Sequence, residues 1–215
     1  MTRTEHNCVQ GSAEWFKLRC GIPGASNFKF IITPSGDPVK GEKRETYKCE
    51  LLQERMTGEA ADHFPSLAMK RGTDLEPNAR NWYRATVRDD VRETGVIIAD
   101  LGGGARCGAS PDGLCADRGI EIKVLLYHNL IAKLLSANPC ADYALQIQAC
   151  MWICGMTQWD LVLFSDHSAI PSAFYALSAD VKLHAAFSEH IPAFCAEIDA
   201  AESRLVAMGG TARWR

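Results

Sequence analysis

Two carboxylates and a lysine stand where a hydrolytic metal site could be built. Asp112 follows Pro111 in a turn, and Glu121 and Lys123 lie on the next β-rich segment, residues 119–124. Alternate residues of a strand share a face, so Glu121 and Lys123 point one way while Ile120, Ile122 and Val124 point the other, into a core. Charged groups flanked by apolar residues are costly if buried without a use or a partner. Two carboxylates converging from adjacent strands make an oxygen-rich site for a hard cation such as Mg²⁺. A lysine beside them can orient or help deprotonate a water and offset charge on a phosphate, which suits metal-assisted phosphodiester hydrolysis. An acid-x-Lys triplet alone carries little, since about one is expected by chance in a chain of this composition. A second, Asp180-Val-Lys182, opens a helix and has no Pro-Asp upstream. The plain alternative for Glu121 and Lys123 is an exposed salt bridge worth less than about 1 kcal/mol. The Pro-Asp one strand earlier, among apolar residues, sets this triplet apart.

The elements that must position these groups follow from local signals. Ser12 can cap a helix through Trp15, Leu18 and Arg19 that Gly21 ends. A second short helix starts at Ala25-Ser26-Asn27-Phe28, and residues 43–57 form an amphipathic helix, stopped by Gly58, with Tyr47, Leu51 and Leu52 inward. Thr73 to Glu76 has capping-box form, with Pro77 acceptable in a first turn. Strand signals then dominate at residues 91–98, 105–108 and 119–124, with Gly102-Gly103-Gly104 as a hairpin turn rather than a nucleotide loop. A helix over 142–154, strands at 158–164 and 173–177, and a long helix from Asp180, kinked at Pro192, complete the chain. The expected class is α/β (α+β), with a mixed sheet of about five strands flanked by helices.

The 215 residues carry 23 basic and 26 acidic groups, a net charge of −3, with 47% hydrophobic residues. That composition excludes a disordered tail, a fibrous repeat or a disulfide-stapled miniprotein, and the length fits one domain over 1–215. Nine cysteines without a Cys-x-x-Cys read as free, mostly buried thiols. With no apolar leader and no stretch of membrane-spanning length, the expected location is cytoplasmic. The acidic balance argues against a nucleic-acid partner at first sight. Setting aside Glu76, Asp112 and Glu121 leaves 23 basic against 23 acidic groups. Lys40, Lys43, Arg44 and Lys48 are candidate contacts to a DNA backbone or simply a solvated face.

Pro111-Asp112 with Glu121-Ile122-Lys123 resembles the PD-(D/E)xK nuclease signature. Three further motifs narrow the resemblance: Trp15, Arg19, Gly21, Ala25 and Ser26 in the spacing Trp-x-x-x-Arg-x-Gly-x-x-x-Ala-Ser; Gly72, Glu76 and Ala79 as Gly-x-x-x-Glu-x-x-Ala; and Gln146, Gln148 and Trp152 as Gln-x-Gln-x-x-x-Trp. With Ser110-Pro-Asp-Gly-Leu114, they are similar to the phage lambda exonuclease family, the YqaJ-type viral recombinases, and the chain ends in Trp214-Arg215 as the lambda member does. The resemblance implies a restriction-endonuclease-like core. It also implies a Mg²⁺-dependent (or Mn²⁺-dependent) 5′→3′ exonuclease on linear double-stranded DNA ends, using one or two ions. Its 3′ overhangs would pass to a single-strand annealing protein, and the family's assembly is a ring-shaped homotrimer.

By the same resemblance Asp112, Glu121, the Ile122 carbonyl and Glu76 hold metal, Lys123 positions the attacking water, and Gln148 holds water or phosphate. Arg19, Ser26 and Ser110 form a 5′-phosphate pocket. His128, after a one-residue gap, stands where the family has an arginine, so its charge depends on pH. The residues themselves leave other roles open. Glu76 can simply complete a capping box, Arg19 can pair with Glu14 or Glu50, Ser26 can cap a helix, and Trp15, Tyr143, Met151 and Trp152 read as core. Gln146 and Gln148 cannot share a helical face, so at least one faces solvent or is structural. A restriction-like endonuclease and a non-catalytic DNA-end-binding module remain the alternative functions.

Overall fold

A computed structural model describes residues 1–60 and 67–214; Arg215 of the terminal Trp-Arg pair lies outside the described residues. In chain order the elements are β1 (Thr2–His6), α1 (Ala13–Arg19), a 3-10 helix (Ala25–Phe30), α2 (Glu42–Thr57), α3 (Leu67–Thr86), β2 (Val96–Gly102), β3 (Ala105–Ala109), β4 (Gly113–Leu114), β5 (Gly119–Lys123), α4 (Tyr127–Leu134), α5 (Ala144–Cys154), β6 (Gln158–Leu163), β7 (Ala173–Ser178) and α6 (Val181–Ala207). The α/β class holds. The strands form two sheets, an antiparallel β1-β2-β3 and a mixed β4-β5-β6-β7 in which β5 and β6 run parallel.

Helix α5 is the centre of the fold. Ile147 through Ile153 are buried without a break, and Trp152 packs with Phe28 of the 3-10 helix and Phe187 of α6 at ring-centroid separations of 6.2 and 5.8 Å. A helix buried nearly all round needs no broad polar face, and from Ala149 to Cys154 α5 is apolar without a break. A second apolar group beneath α3 joins Ala79 and Tyr83 to Ile120, Ile122 and Val162. The isoleucines of β5 therefore point to one side, as alternation requires, and Glu121 and Lys123 to the other.

Several local signals act as read. Ser12 Oγ accepts from the Trp15 amide at 3.3 Å, Gly58 ends α2 in the left-handed region, and Asp180 caps α6 through the Lys182 and Leu183 amides. Gly102, Gly103 and Gly104 all have positive φ in the β2–β3 turn, a conformation open to glycine. The capping box at Thr73–Glu76 is a correction: α3 already begins at Leu67, so these residues and Pro77 lie inside the helix. Pro77 there offers no N–H to the helix ladder, a cost met by the tertiary packing of Ala79 and Tyr83. The strand expected over 91–98 begins only at Val96, and β1, β4 and α4 carry too few residues or too weak a pattern to be read locally. All nine cysteines are free, and Cys49 alone among them is exposed.

Candidate active site

Asp112 sits between β3 and β4, and the antiparallel register Gly113↔Ile120 and Leu114↔Gly119 sets it against Glu121 and Ile122 on β5. Its Oδ2 accepts the Ile122 amide at 2.6 Å. Gly113 is what permits this approach: a Cβ there would lie 2.7 Å from Val91 Cγ2 and 2.9 Å from Ile120 Cδ1. Burial, then the negative charges of Glu121 and Glu76, push the Asp112 carboxyl well above its ordinary range.

Glu121 is 3% exposed. Its Oε1 lies 2.6 Å from Lys123 Nζ and accepts from Gln146 Nε2 at 2.6 Å. Burial works against the charge on Lys123, but Glu121 and Asp112 outweigh it and hold the ammonium above its usual range. Glu76, on α3, pairs with Arg80 at 2.5 Å one helical turn on. Burial raises its pKa, Arg80 opposes, and Glu93 and Glu121 raise it further. The buried Arg80 also donates to the Asp112 carbonyl at 2.9 Å and pairs with Glu93 at 2.7 Å, tying α3 to the Asp112 turn.

Three carboxylates thus act on one another through their charges, with Lys123 and Arg80 the cations that offset them among the described residues, a donor set that fits a hard divalent cation. Among the described residues no three His, Cys, Asp or Glu side chains converge into a ready-made cage. The reason is visible in the contacts: Asp112 is taken by the Ile122 amide, Glu121 by Lys123 and Gln146, and Glu76 by Arg80.

Gln148 is the site residue that the structure moves. It is buried, donating Nε2 to the Ser178 carbonyl and accepting the Asp180 amide at Oε1, both at 2.8 Å. It joins α5 to the β7–α6 junction and leaves the carboxylates to Gln146. Residues two apart on a helix are separated by about 200°, so only one of the two glutamines can face β5.

A second polar cluster stands at the end of β3. Gly24 bridges Gly108, which sets the start of the 3-10 helix beside that strand. Ser110 Oγ accepts from Trp15 Nε1 at 2.8 Å and from Arg19 at 3.3 Å, and the Arg19 guanidinium lies 4.0 Å from the Trp15 ring centroid. Burial lowers the pKa of Arg19, and among the described residues it makes no ion pair with Glu14, Glu50 or any other carboxylate. Ser26 is exposed inside the 3-10 helix, whose cap position is Gly24. His128 is exposed on the first turn of α4 and makes no hydrogen bond to Arg19, Ser26 or Ser110 among the described residues. Trp15, Arg80 and Gln146 are the contributors missing from the expected set. The i,i+4 spacings Trp15–Arg19 and Glu76–Arg80 were the signals that could have found the first two.

Residues 14–157 match the YqaJ-like viral recombinase domain. An alkaline exonuclease (LHK-Exo) from Laribacter hongkongensis is 31% identical, with a TM-score of 0.80 over 92% of this chain and 98% of that one, and its complex with dAMP superposes equally well. A phage-related exonuclease from Haemophilus somnus 129PT shares the fold, with a TM-score of 0.60 at 14% identity over 86% of this chain and 96% of that one. Comparison with curated proteins finds no match.

Proposed function

Because the chain belongs to the YqaJ-like viral recombinase domain family, whose members are DNA nucleases, we propose that it is a divalent-metal-dependent 5′→3′ exonuclease on linear double-stranded DNA. One observation carries the reading: Glu121, buried and held by Lys123 at 2.6 Å, faces Asp112 and Glu76 in a cluster with excess negative charge. Asp112, Glu121, the Ile122 carbonyl and Glu76 would hold one or two Mg²⁺ or Mn²⁺ ions. Such a cation polarises a scissile phosphate and makes hydroxide available near neutral pH.

The remaining work falls to the chain's own groups. Lys123, its ammonium kept charged by Glu121 and Asp112, orients a water and offsets phosphate charge. Gln146 fixes the Glu121 carboxylate. Arg80 holds Glu76 and the Asp112 turn together until the cluster is used. Arg19 and Ser110, steadied by Trp15, with Ser26 at the edge, form a pocket for a 5′-terminal phosphate. A half-buried guanidinium that has no carboxylate partner among the described residues is suited to a planar, bidentate anion. The complex of the Laribacter exonuclease with dAMP, a nucleoside 5′-monophosphate, supports this. The residual 3′ strand would go to a single-strand annealing protein, and a homotrimeric ring would keep the enzyme on its substrate.

The test compares linear 5′-phosphorylated, linear 5′-hydroxyl and covalently closed circular duplex, each with and without Mg²⁺. Loss of one strand from its 5′ end, only with the cation and only on linear DNA, is expected. Cutting of the closed circle would make the protein an endonuclease, and end binding without degradation would make it a binding module.

A further inference from the structure

Beyond the carboxylates, β5 runs through Leu125 into α4, and α4 faces the start of α5 across a cavity of about 400 Å³. One wall is Asn129 and Lys133, one turn apart on α4, with Ser136 just past the helix end; the other is Tyr143 with Asp142, and Leu125 also lines the cavity. Lys133 and Asp142 form an ion pair at the rim. The cavity adjoins the catalytic centre through one side chain. The Tyr143 ring centroid lies 5.3 Å from Lys123 Nζ and 5.6 Å from Lys133 Nζ, and Lys123 in turn rests on Glu121.

The lining suits a planar heteroaromatic ring. Leu125 gives apolar area beside the Tyr143 ring, a base stacking on that ring takes the place of the Lys133 ammonium now over it, and the Asn129 amide and Ser136 hydroxyl can each donate and accept. The volume lies at the small end of the range for ligand sites, room for one base rather than a base pair. We propose that this cavity is a nucleobase subsite, taking the base of a nucleotide that flanks the scissile phosphate, with Tyr143 as its stacking platform. The inference rests on the nuclease reading for its substrate: a phosphate at Asp112 and Glu121 has its own base one sugar away, and Tyr143 stands 5.3 Å from the Lys123 ammonium beside those carboxylates. A base can enter only once unpaired, so the subsite holds the end of the degraded strand open. Because the edge groups both donate and accept, all four bases are taken.

The experiment uses a 5′-phosphorylated duplex carrying 2-aminopurine at one or the other of its two 5′-terminal positions, with Ca²⁺ in place of Mg²⁺ to leave the strand uncut. The wild-type chain and Tyr143→Phe should quench the fluorescence at one of the two positions. Tyr143→Ala, and Ser136→Phe, which fills the cavity from the segment after α4 without touching the carboxylates, should leave it bright while the duplex stays bound. In Mg²⁺, an abasic residue at the quenched position should slow the wild type about tenfold and slow Tyr143→Ala no further. Equal brightness with wild type and Tyr143→Ala, or an equal abasic penalty in both, would overturn the subsite. Quenching without degradation would remove the nuclease reading and leave the subsite standing; degradation with a bright probe at both positions would do the reverse.

Discussion

The two glutamines of α5 offer a direct test of how this site is assembled. Gln148 is 8% exposed and satisfies the Ser178 carbonyl and the Asp180 amide, each at 2.8 Å. Gln148→Ala removes two part-buried hydrogen bonds to the backbone of Ser178 and Asp180, worth roughly 0.5–1.5 kcal/mol each, so a loss of about 2 kcal/mol is expected. For a domain of this size that lowers Tm by roughly 4–8 °C. Gln146→Ala removes one hydrogen bond, from Nε2 to Glu121 Oε1, and Glu121 keeps its contact with Lys123. Its Tm should change by less than about 2 °C. A residue that orients a metal-binding carboxylate is worth about 10–100-fold in rate, so Gln146→Ala should lose that much kcat while Gln148→Ala, assayed at 20 °C below its melting point, retains near-wild-type kcat. The assay pairs thermal melting by circular dichroism with the initial rate of nucleotide release from linear duplex. A Gln148→Ala protein with an unchanged Tm and a lost rate, or a Gln146→Ala protein with an unchanged rate, would refute the reasoning.

Other outcomes follow from the same geometry. Asp112→Asn keeps an oxygen for the Ile122 amide but removes a buried charge facing Glu121 and Glu76. The metal-free protein should gain about 1–2 kcal/mol, or roughly 2–6 °C in Tm, while DNA degradation and the Mg²⁺-dependent rise in Tm both disappear; a lower Tm in EDTA would contradict the crowding of carboxylates. Arg19→Ala should reduce kcat/KM on 5′-phosphorylated duplex about 10–100-fold, to the level seen on 5′-hydroxyl duplex; a variant that still prefers the phosphate would place the anchor elsewhere. Burial lowers the pKa of His184, which stacks on Phe187, so the unfolded chain takes up its proton first as pH falls. The stability from neutral His184 is complete above about pH 6.5 and is lost as pH drops through its lowered folded value. His184→Phe should flatten the Tm-versus-pH curve below pH 6.5, measured against wild type in the same buffers.

Much of the site was legible because its signals are local. A strand's two-residue period puts Glu121 and Lys123 on one face whatever surrounds it, and the Pro-Asp-Gly turn puts Asp112 opposite. Ser12, Gly58 and Asp180 act within a few residues of their own helices, so their capping roles survive folding unchanged. The start of α3 did not follow from its capping-box pattern, because the packing of Ala79 and Tyr83 outweighs both that signal and the break that Pro77 invites.

What the sequence by itself determined is which residues share a face and which chemistry that face can do. Which face meets which neighbour was decided only by the tertiary structure. Gln146 and Gln148 are equivalent by residue type and differ only in the direction each takes from α5. The contact that selects between them joins residues 25 apart in sequence, and the one that removes Gln148 spans 30. Trp15 reaches Ser110 across 95 positions in the same way. Such pairings depend on how whole elements dock, since every helix offers several faces and burial of the apolar ones fixes where the polar side chains point.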